Sequence, residues 1–254
     1  MGRTEVPYTV VINVNVEFLA KDATKAVGRG DLIIVIDVLR CSSTIVTALY
    51  NGARAIIPAK TLSEARKLRA KNPEYLLAGE RGGLRPPDFD LGNSPLEYVR
   101  EKVFGKTIIL TTTSGTLALI NSRGAKWVLV GSFLNARAVA EKAFSIACEE
   151  EVGISIIQAG TEGRFSLEDF ICSGAILSRL PDESVGFSDS AQAALLAFRY
   201  AKNDLYANLM RSNHSKKLIK LGFGEDIKFS SQMDIYAIVP LFRGGIITKI
   251  NSNY

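Results

Sequence analysis

The sequence predicts an α/β fold, a mostly parallel or mixed sheet flanked by helices. Leu32-Ile33-Ile34-Val35-Ile36 is a continuous apolar run, as expected of a strand covered on both faces. Similar runs recur along the chain with helix-period segments between them, the pattern of a largely parallel sheet with crossover helices. No Pro/Gly/Ser-rich linker divides the 254 residues, so residues 1–254 read as one domain, built as a single unit or as two small lobes.

The elements follow in order. Residues 12–18 alternate Ile12, Val14, Val16 and Phe18 with Asn13, Asn15 and Glu17, the period of a half-buried antiparallel or edge strand. Further strands are expected at 32–36, 55–57, 106–110, 127–130, 154–157 and 236–239. Helices are expected at 43–50, 62–71, 115–121, 135–149, 167–179, 189–200 and 204–220. Gly244-Gly245 reads as a turn before a last strand. The Gly- and Pro-rich stretch 79–95 is too long for a simple connector and is a candidate functional loop.

Composition narrows the class. An apolar fraction of 47% with 22% charged residues belongs to a folded globular protein. The start, MGRTEVPYTV, has no apolar core of a signal peptide and no stretch is long enough to span a bilayer, so a cytoplasmic protein without membrane contact is expected. Cys41, Cys148 and Cys172 lack the spacing of a zinc cluster or a disulfide framework. The net charge of +5 suits an anionic partner, but Lys and Arg are scattered, so nucleic-acid binding is not expected.

Four strand ends carry candidate chemistry, since ligands of open α/β sheets bind where strands end. In IDVLRCSST, Asp37 could hold a metal, Arg40 could fork onto phosphate oxygens, and Ser42 and Ser43 open a helix that offers amides to an anion. An ordinary cap with an Asp37–Arg40 ion pair is the plain alternative. AGERGG and PPDFDLGNSP bring Glu80, Arg81, Asp88, Asp90, Asn93 and Ser94 among glycines and prolines, oxygen donors suited to Mg²⁺. TTTSGT supplies Thr112, Thr113, Ser114 and Gly115 at a second helix start. In QAGTEGRFSLEDF, Ser166 and Asp169 have capping-box spacing, which leaves Glu168 as the metal or base candidate, with Arg164 nearby.

Spacing rules out several phosphate chemistries. Lys106 and Thr107 resemble the end of a P-loop, but Arg100 stands where its first glycine belongs. Six positions after Cys41 and Cys172 stand Thr47 and Ser178, not the arginine of a cysteine phosphatase. The one histidine, His214, excludes two-histidine chemistry and reads as a surface or capping residue. Leu39 stands where an aspartyl-phosphate enzyme would carry a second Asp.

IDVLRCSST, AGERGG, FDLGNSP, TTSGT, GSFLN and SLEDF, in this order and spacing, resemble the 2-phosphosulfolactate phosphatase family from about residue 30 to Pro240. The late part includes the surroundings of His214, Gly224-Glu225-Asp226-Ile227 and Asp234. The chain departs from the family pattern at Cys41, Ser114 and Ser215, where alanine, asparagine and glycine are usual. The resemblance implies an α/β phosphatase that removes phosphate from (R)-2-phospho-3-sulfolactate in a Mg²⁺-dependent step of coenzyme M biosynthesis.

It follows that Mg²⁺ would be held by some of Asp37, Glu80, Asp90 and Glu168, with one carboxylate as base. Arg40 and Arg81 would complete the catalytic set, and Ser42, Ser43, Asn93, Ser94, Thr112, Ser114, Gly115 and Arg164 would bind phosphate or substrate. Another phosphorylated hydroxy acid or sugar phosphate, and a non-catalytic anion- or RNA-binding module, are the competing readings. A homodimer would be unsurprising for an enzyme of this size.

Overall fold

The computed structural model describes residues 11–250. Its strands are β1 (Ile12–Glu17), β2 (Leu32–Ile36), β3 (Ala55–Pro58), β4 (Leu76–Gly79), β5 (Thr107–Thr111), β6 (Val128–Gly131), β7 (Ile154–Gln158), β8 (Val185–Phe187), β9 (Pro240–Arg243) and β10 (Ile246–Lys249). They form one mixed sheet in the order β4-β5-β3-β10-β9-β6-β2-β7-β1-β8. A single hydrogen-bonded sheet thus runs through the described chain, flanked by helices.

The apolar run of β2 divides by parity, because successive side chains of a strand point to opposite faces. Leu32, Ile34 and Ile36 pack with Phe133, Val139, Ile176 and Phe198 under the helices Ala136–Glu150, Leu167–Leu177 and Asp189–Ala201. Ile33 and Val35 pack on the other face with Ile45, Leu49, Leu119 and Leu134. Gly174 lets two of these helices approach closely: a Cβ there would lie 1.9 Å from the Ala194 carbonyl oxygen.

Three local expectations change. β1 is an interior strand, parallel to both β7 and β8, and the three-residue β8 takes the edge. The alternation in β1 reports that one face is less covered, since Ile12, Val14 and Val16 are buried while Asn13 is exposed and Asn15 and Glu17 are half-buried. Residues 236–239 are not a strand: the amides of Asp234 and Tyr236 donate to Phe133 and Leu134, and pairing starts only at Pro240. The stretch 204–220 breaks into helices Leu205–Leu209 and Asn213–Lys220, the second capped by Ser212, whose hydroxyl accepts from the Ser215 amide at 3.0 Å.

The hairpin β9–β10 joins two parallel blocks through single pairings, Leu129 with Leu241 and Ile247 with Ile56, all antiparallel. By hydrogen-bond sense the β3-β5-β4 block therefore runs opposite to β6-β2-β7. At roughly 20–25° of twist per neighbour, the five steps from β2 to β5 accumulate about 100–125°. A rotation of that size accounts for the carboxyl ends of both blocks contributing to one cleft.

Candidate active site

The two sets of strand ends meet in a cleft of about 100 Å³. Asp37 comes from the end of β2, Glu80 from β4, Thr112, Thr113 and Ser114 from β5, and Gly160, Thr161 and Glu162 from beyond β7. His214, Lys217 and Leu218 of the helix Asn213–Lys220 form the remaining wall.

The backbone around Asp37 is fastened from three sides. The Val38 amide donates to Asp169 Oδ1 at 2.9 Å, the Ser43 hydroxyl donates to the Val38 carbonyl at 2.9 Å, and the Asp37 amide donates to Ser42 Oγ at 3.2 Å. Ser42 and Ser43 are thus spent on the protein itself. Gly115 makes the close approach of the β5 segment possible, since a Cβ would lie 2.6 Å from Asp37 Oδ2. Burial first, then the charges of Glu80 and Glu168, push the Asp37 carboxyl up to about 7, against a hydrogen bond from the Cys41 amide.

Glu80 organises the opposite side. Its Oε1 accepts from the Thr113 amide and hydroxyl at 2.7 and 2.8 Å, and Oε2 accepts from the Gly83 amide at 2.7 Å. Gly82 and Gly83, at φ 62° and 95°, are the centre of a tight turn closed by Arg81 and Leu84. Arg81 braces this turn through the Glu80 carbonyl and Thr111 Oγ1, and it does not line the cleft.

Arg40 is a buried cation on the cleft wall. Its guanidinium donates to Asp226 Oδ2 at 3.1 Å and to the Gly83 carbonyl at 2.6 Å, and lies 4.3 Å from the centre of the Phe223 ring. Asp226 also accepts from the Ser94 hydroxyl at 2.6 Å, so Ser94 acts through Asp226. The Asn93 carbonyl accepts from Thr44, while its buried Oδ1, on a residue that lines the cleft, has no protein partner. Thr112 exchanges hydrogen bonds with Thr116 and still borders the cleft.

Other expected residues stand elsewhere. Asp90 is not at the cleft: its carboxylate accepts from Arg69 at 2.5 Å and from the Leu77 amide at 2.7 Å, an exposed brace of the loop. Asp88 likewise pairs with Arg66 at the surface. Arg164 closes the tight turn opposite Thr161 and does not line the cleft. Glu168 lies behind the cleft, its carboxyl raised by burial against hydrogen bonds from its own amide and the Ser166 and Ser212 hydroxyls. Ser166 takes the capping position, accepting from the Asp169 amide at 3.3 Å, while the Asp169 carboxyl accepts from the Val38 amide instead of closing a capping box.

His214 corrects the expectation of a surface or capping residue. It is three-quarters buried, lines the cleft, and its Nδ1 lies 3.1 Å from Thr161 Oγ1 and 3.6 Å from Glu168 Oε1. Burial, then Arg40 and Lys217, lower it to about 4, so it is neutral at neutral pH. The sequence held one signal for this wall: His214, Lys217 and Leu218 share a helix face at i, i+3 and i+4.

The donor set fits a hard divalent cation. Among the described residues, no three Asp, Glu, His or Cys side chains converge closely enough to enclose an ion. Mg²⁺ commonly takes one or two carboxylates and completes its shell with water and phosphate oxygens. Asp37 and Glu80 supply that minimum, and a bound cation would offset both the burial that mainly raises Asp37 and the repulsion from Glu80 that adds to it.

The profile of the 2-phosphosulpholactate phosphatase family matches residues 18–245. A probable 2-phosphosulfolactate phosphatase of Thermotoga petrophila is 46% identical over 213 residues, covering 84% of this chain and 89% of that protein. Proteins of the same name from Caldicellulosiruptor saccharolyticus and Clostridium beijerinckii are 40% and 38% identical, covering 91% and 93% of this chain and 96% and 99% of theirs. A match of this extent carries every segment that builds the cleft, from Asp37 to Asp226, and the chain therefore belongs to the 2-phosphosulpholactate phosphatase family.

Proposed function

We propose that this chain is a phosphoric monoester hydrolase that cleaves 2-phospho-3-sulfolactate to 3-sulfolactate and inorganic phosphate. The observation that carries the reading is the meeting of Asp37 and Glu80 with the buried Arg40 guanidinium in one small cleft. The family resemblance adds Mg²⁺ as cofactor and a place in coenzyme M biosynthesis. Asp37 and Glu80 would hold the ion, which when bound withdraws charge from the phosphoryl oxygens and acidifies water.

The chain's own groups do the rest. Arg40, fixed by Asp226 and Gly83, presents a permanent positive charge to the phosphoryl group without reorganising. In the His214 tautomer whose Nδ1–H donates to Thr161 Oγ1, the neutral ring offers Nε2 as an acceptor for a proton from the attacking water, and an ionised Glu168, 3.6 Å from Nδ1, would stabilise the imidazolium that forms. Comparing phosphate release from phosphosulfolactate, phosphoglycolate and phospholactate, with and without a chelator, tests the proposal. Release that is absent with all three, or indifferent to chelation, would sink the metal-assisted hydrolase.

A further inference from the structure

Two formally charged cations line the cleft, and they are held in opposite ways. Arg40 is buried and committed to Asp226 and to the Gly83 carbonyl. Lys217 stands on the outer wall with its side chain 42% exposed, its Nζ 2.8 Å from Oε1 of Glu162, itself 65% exposed. Such an exposed pair is weak and easily exchanged for another partner.

Glu162 has a further peculiarity. It fills the first central position of the tight turn from Thr161 to Arg164 at φ 53°, followed by Gly163 at φ 73°. The left-handed region favours Gly or Asn, and a glutamate held there is a local strain of the kind that clusters at ligand sites. The result is an exposed carboxylate carried by a constrained turn at the mouth of the cleft, paired with an ammonium whose residue also lines the cleft.

We infer that Lys217 is the specificity-determining residue of this site: its ammonium receives the sulfonate remote from the phosphate ester, and Glu162 holds that place while the cleft is empty. The inference rests on the phosphatase reading above and deepens it. A substrate carrying three anionic groups needs a cation beyond those that meet the phosphate. Arg81, Arg85 and Arg164, the other arginines of the cleft loops, do not line the cleft. Lys217 does, and one helical turn from His214 it faces the same space.

The test is the ratio of kcat/KM for 2-phospho-3-sulfolactate to that for 2-phospholactate, which keeps the phosphate and carboxylate but lacks the sulfonate. Lys217→Met should lower this ratio about tenfold or more, Lys217→Arg should restore most of it, and Glu162→Gln should lower KM for the sulfonated ester. An unchanged ratio in Lys217→Met overturns the inference, because a merely structural lysine would affect both esters alike. Calorimetric binding of 3-sulfolactate and lactate to wild type and Lys217→Met, with Mg²⁺ present, separates the two readings. Lysine-dependent binding of 3-sulfolactate without any ester hydrolysis would keep the inference and remove the hydrolase, whereas equal binding by both proteins would overturn the inference.

Discussion

Asp169 Oδ1 accepts a hydrogen bond from the Val38 amide at 2.9 Å, tying the first turn of the helix Leu167–Leu177 to the segment that carries Asp37. Burial, together with the charges of Asp37 and Glu168, raises the Asp169 carboxyl well above the usual carboxylate range. A neutral side chain of the same shape should therefore serve. Asp169→Asn is expected to keep stability within about 1 kcal/mol, whereas Asp169→Ala leaves the Val38 amide buried and unpaired and costs about 1–3 kcal/mol. Urea unfolding of the two variants checks this, and equal losses would show that the hydrogen bond does not matter.

The placement of the carboxylates separates three variants that composition alone would treat alike. Asp37→Asn and Glu80→Gln should each lower kcat by about 100-fold or more, the scale of losing one electrostatic contact in a transition state. Asp90→Asn should leave phosphate release near wild type, since its exposed pair with Arg69 is worth about 1 kcal/mol or less. Glu80 also holds the Thr113 and Gly83 amides, so circular dichroism must show a folded Glu80→Gln protein before its rate is read.

Asp37 predicts how Mg²⁺ and protons compete. Its folded-state value of about 7 lies above its ordinary 3.8, so in the metal-free protein its contribution to stability is full below pH 3.8 and is lost as pH rises through about 7. Mg²⁺ takes the ionised form and opposes that loss. The Mg²⁺-induced rise in Tm should therefore be larger at pH 8 than at pH 5, and Asp37→Asn should flatten the difference. A rise independent of pH in the wild type would mean that the ion binds elsewhere.

His214 gives the opposite sign. Its folded value of about 4 lies below the ordinary 6.5, so its contribution is present above pH 6.5 and is lost as pH falls through about 4. Relative to His214→Asn, which does not titrate, the wild type should lose stability across that window, by on the order of 3 kcal/mol before solvent screening. Parallel pH dependences of the two proteins in urea would show that His214 is not held neutral by its surroundings.

What the sequence made legible was local. The β2 run read correctly as a two-faced strand because period-2 burial needs no distant information, and Ser166 and Asp169 read as a cap because both partners lie within one turn. Residues 236–239 misled because Ile238 and Val239 are buried in the core from an irregular segment, whose backbone is held at Asp234 and Tyr236 by the carbonyls of Phe133 and Leu134 about a hundred residues upstream. Asp90 misled for the same reason: its partner Arg69 lies 21 residues away and draws it to the surface. Lys217 and His214 reach the cleft by tertiary packing, which spacing alone does not reveal.

Arg40 and Asp226, 186 residues apart in sequence, offer the sharpest test of that packing. Both side chains are about 97–98% buried, and Asp226 is raised by burial against the opposing hydrogen bonds of Ser94 and Arg40. Removing one partner of a buried pair leaves an uncompensated charge, so Arg40→Met should cost about 3–5 kcal/mol. Arg40→Met combined with Asp226→Asn should recover part of that loss, because the stranded carboxylate is gone. Activity should stay low in both proteins, since neither restores a guanidinium to the cleft. If the double variant is less stable than Arg40→Met by the full cost of a second independent change, the two groups are not coupled, and Arg40 is held by the Gly83 carbonyl and the Phe223 ring alone.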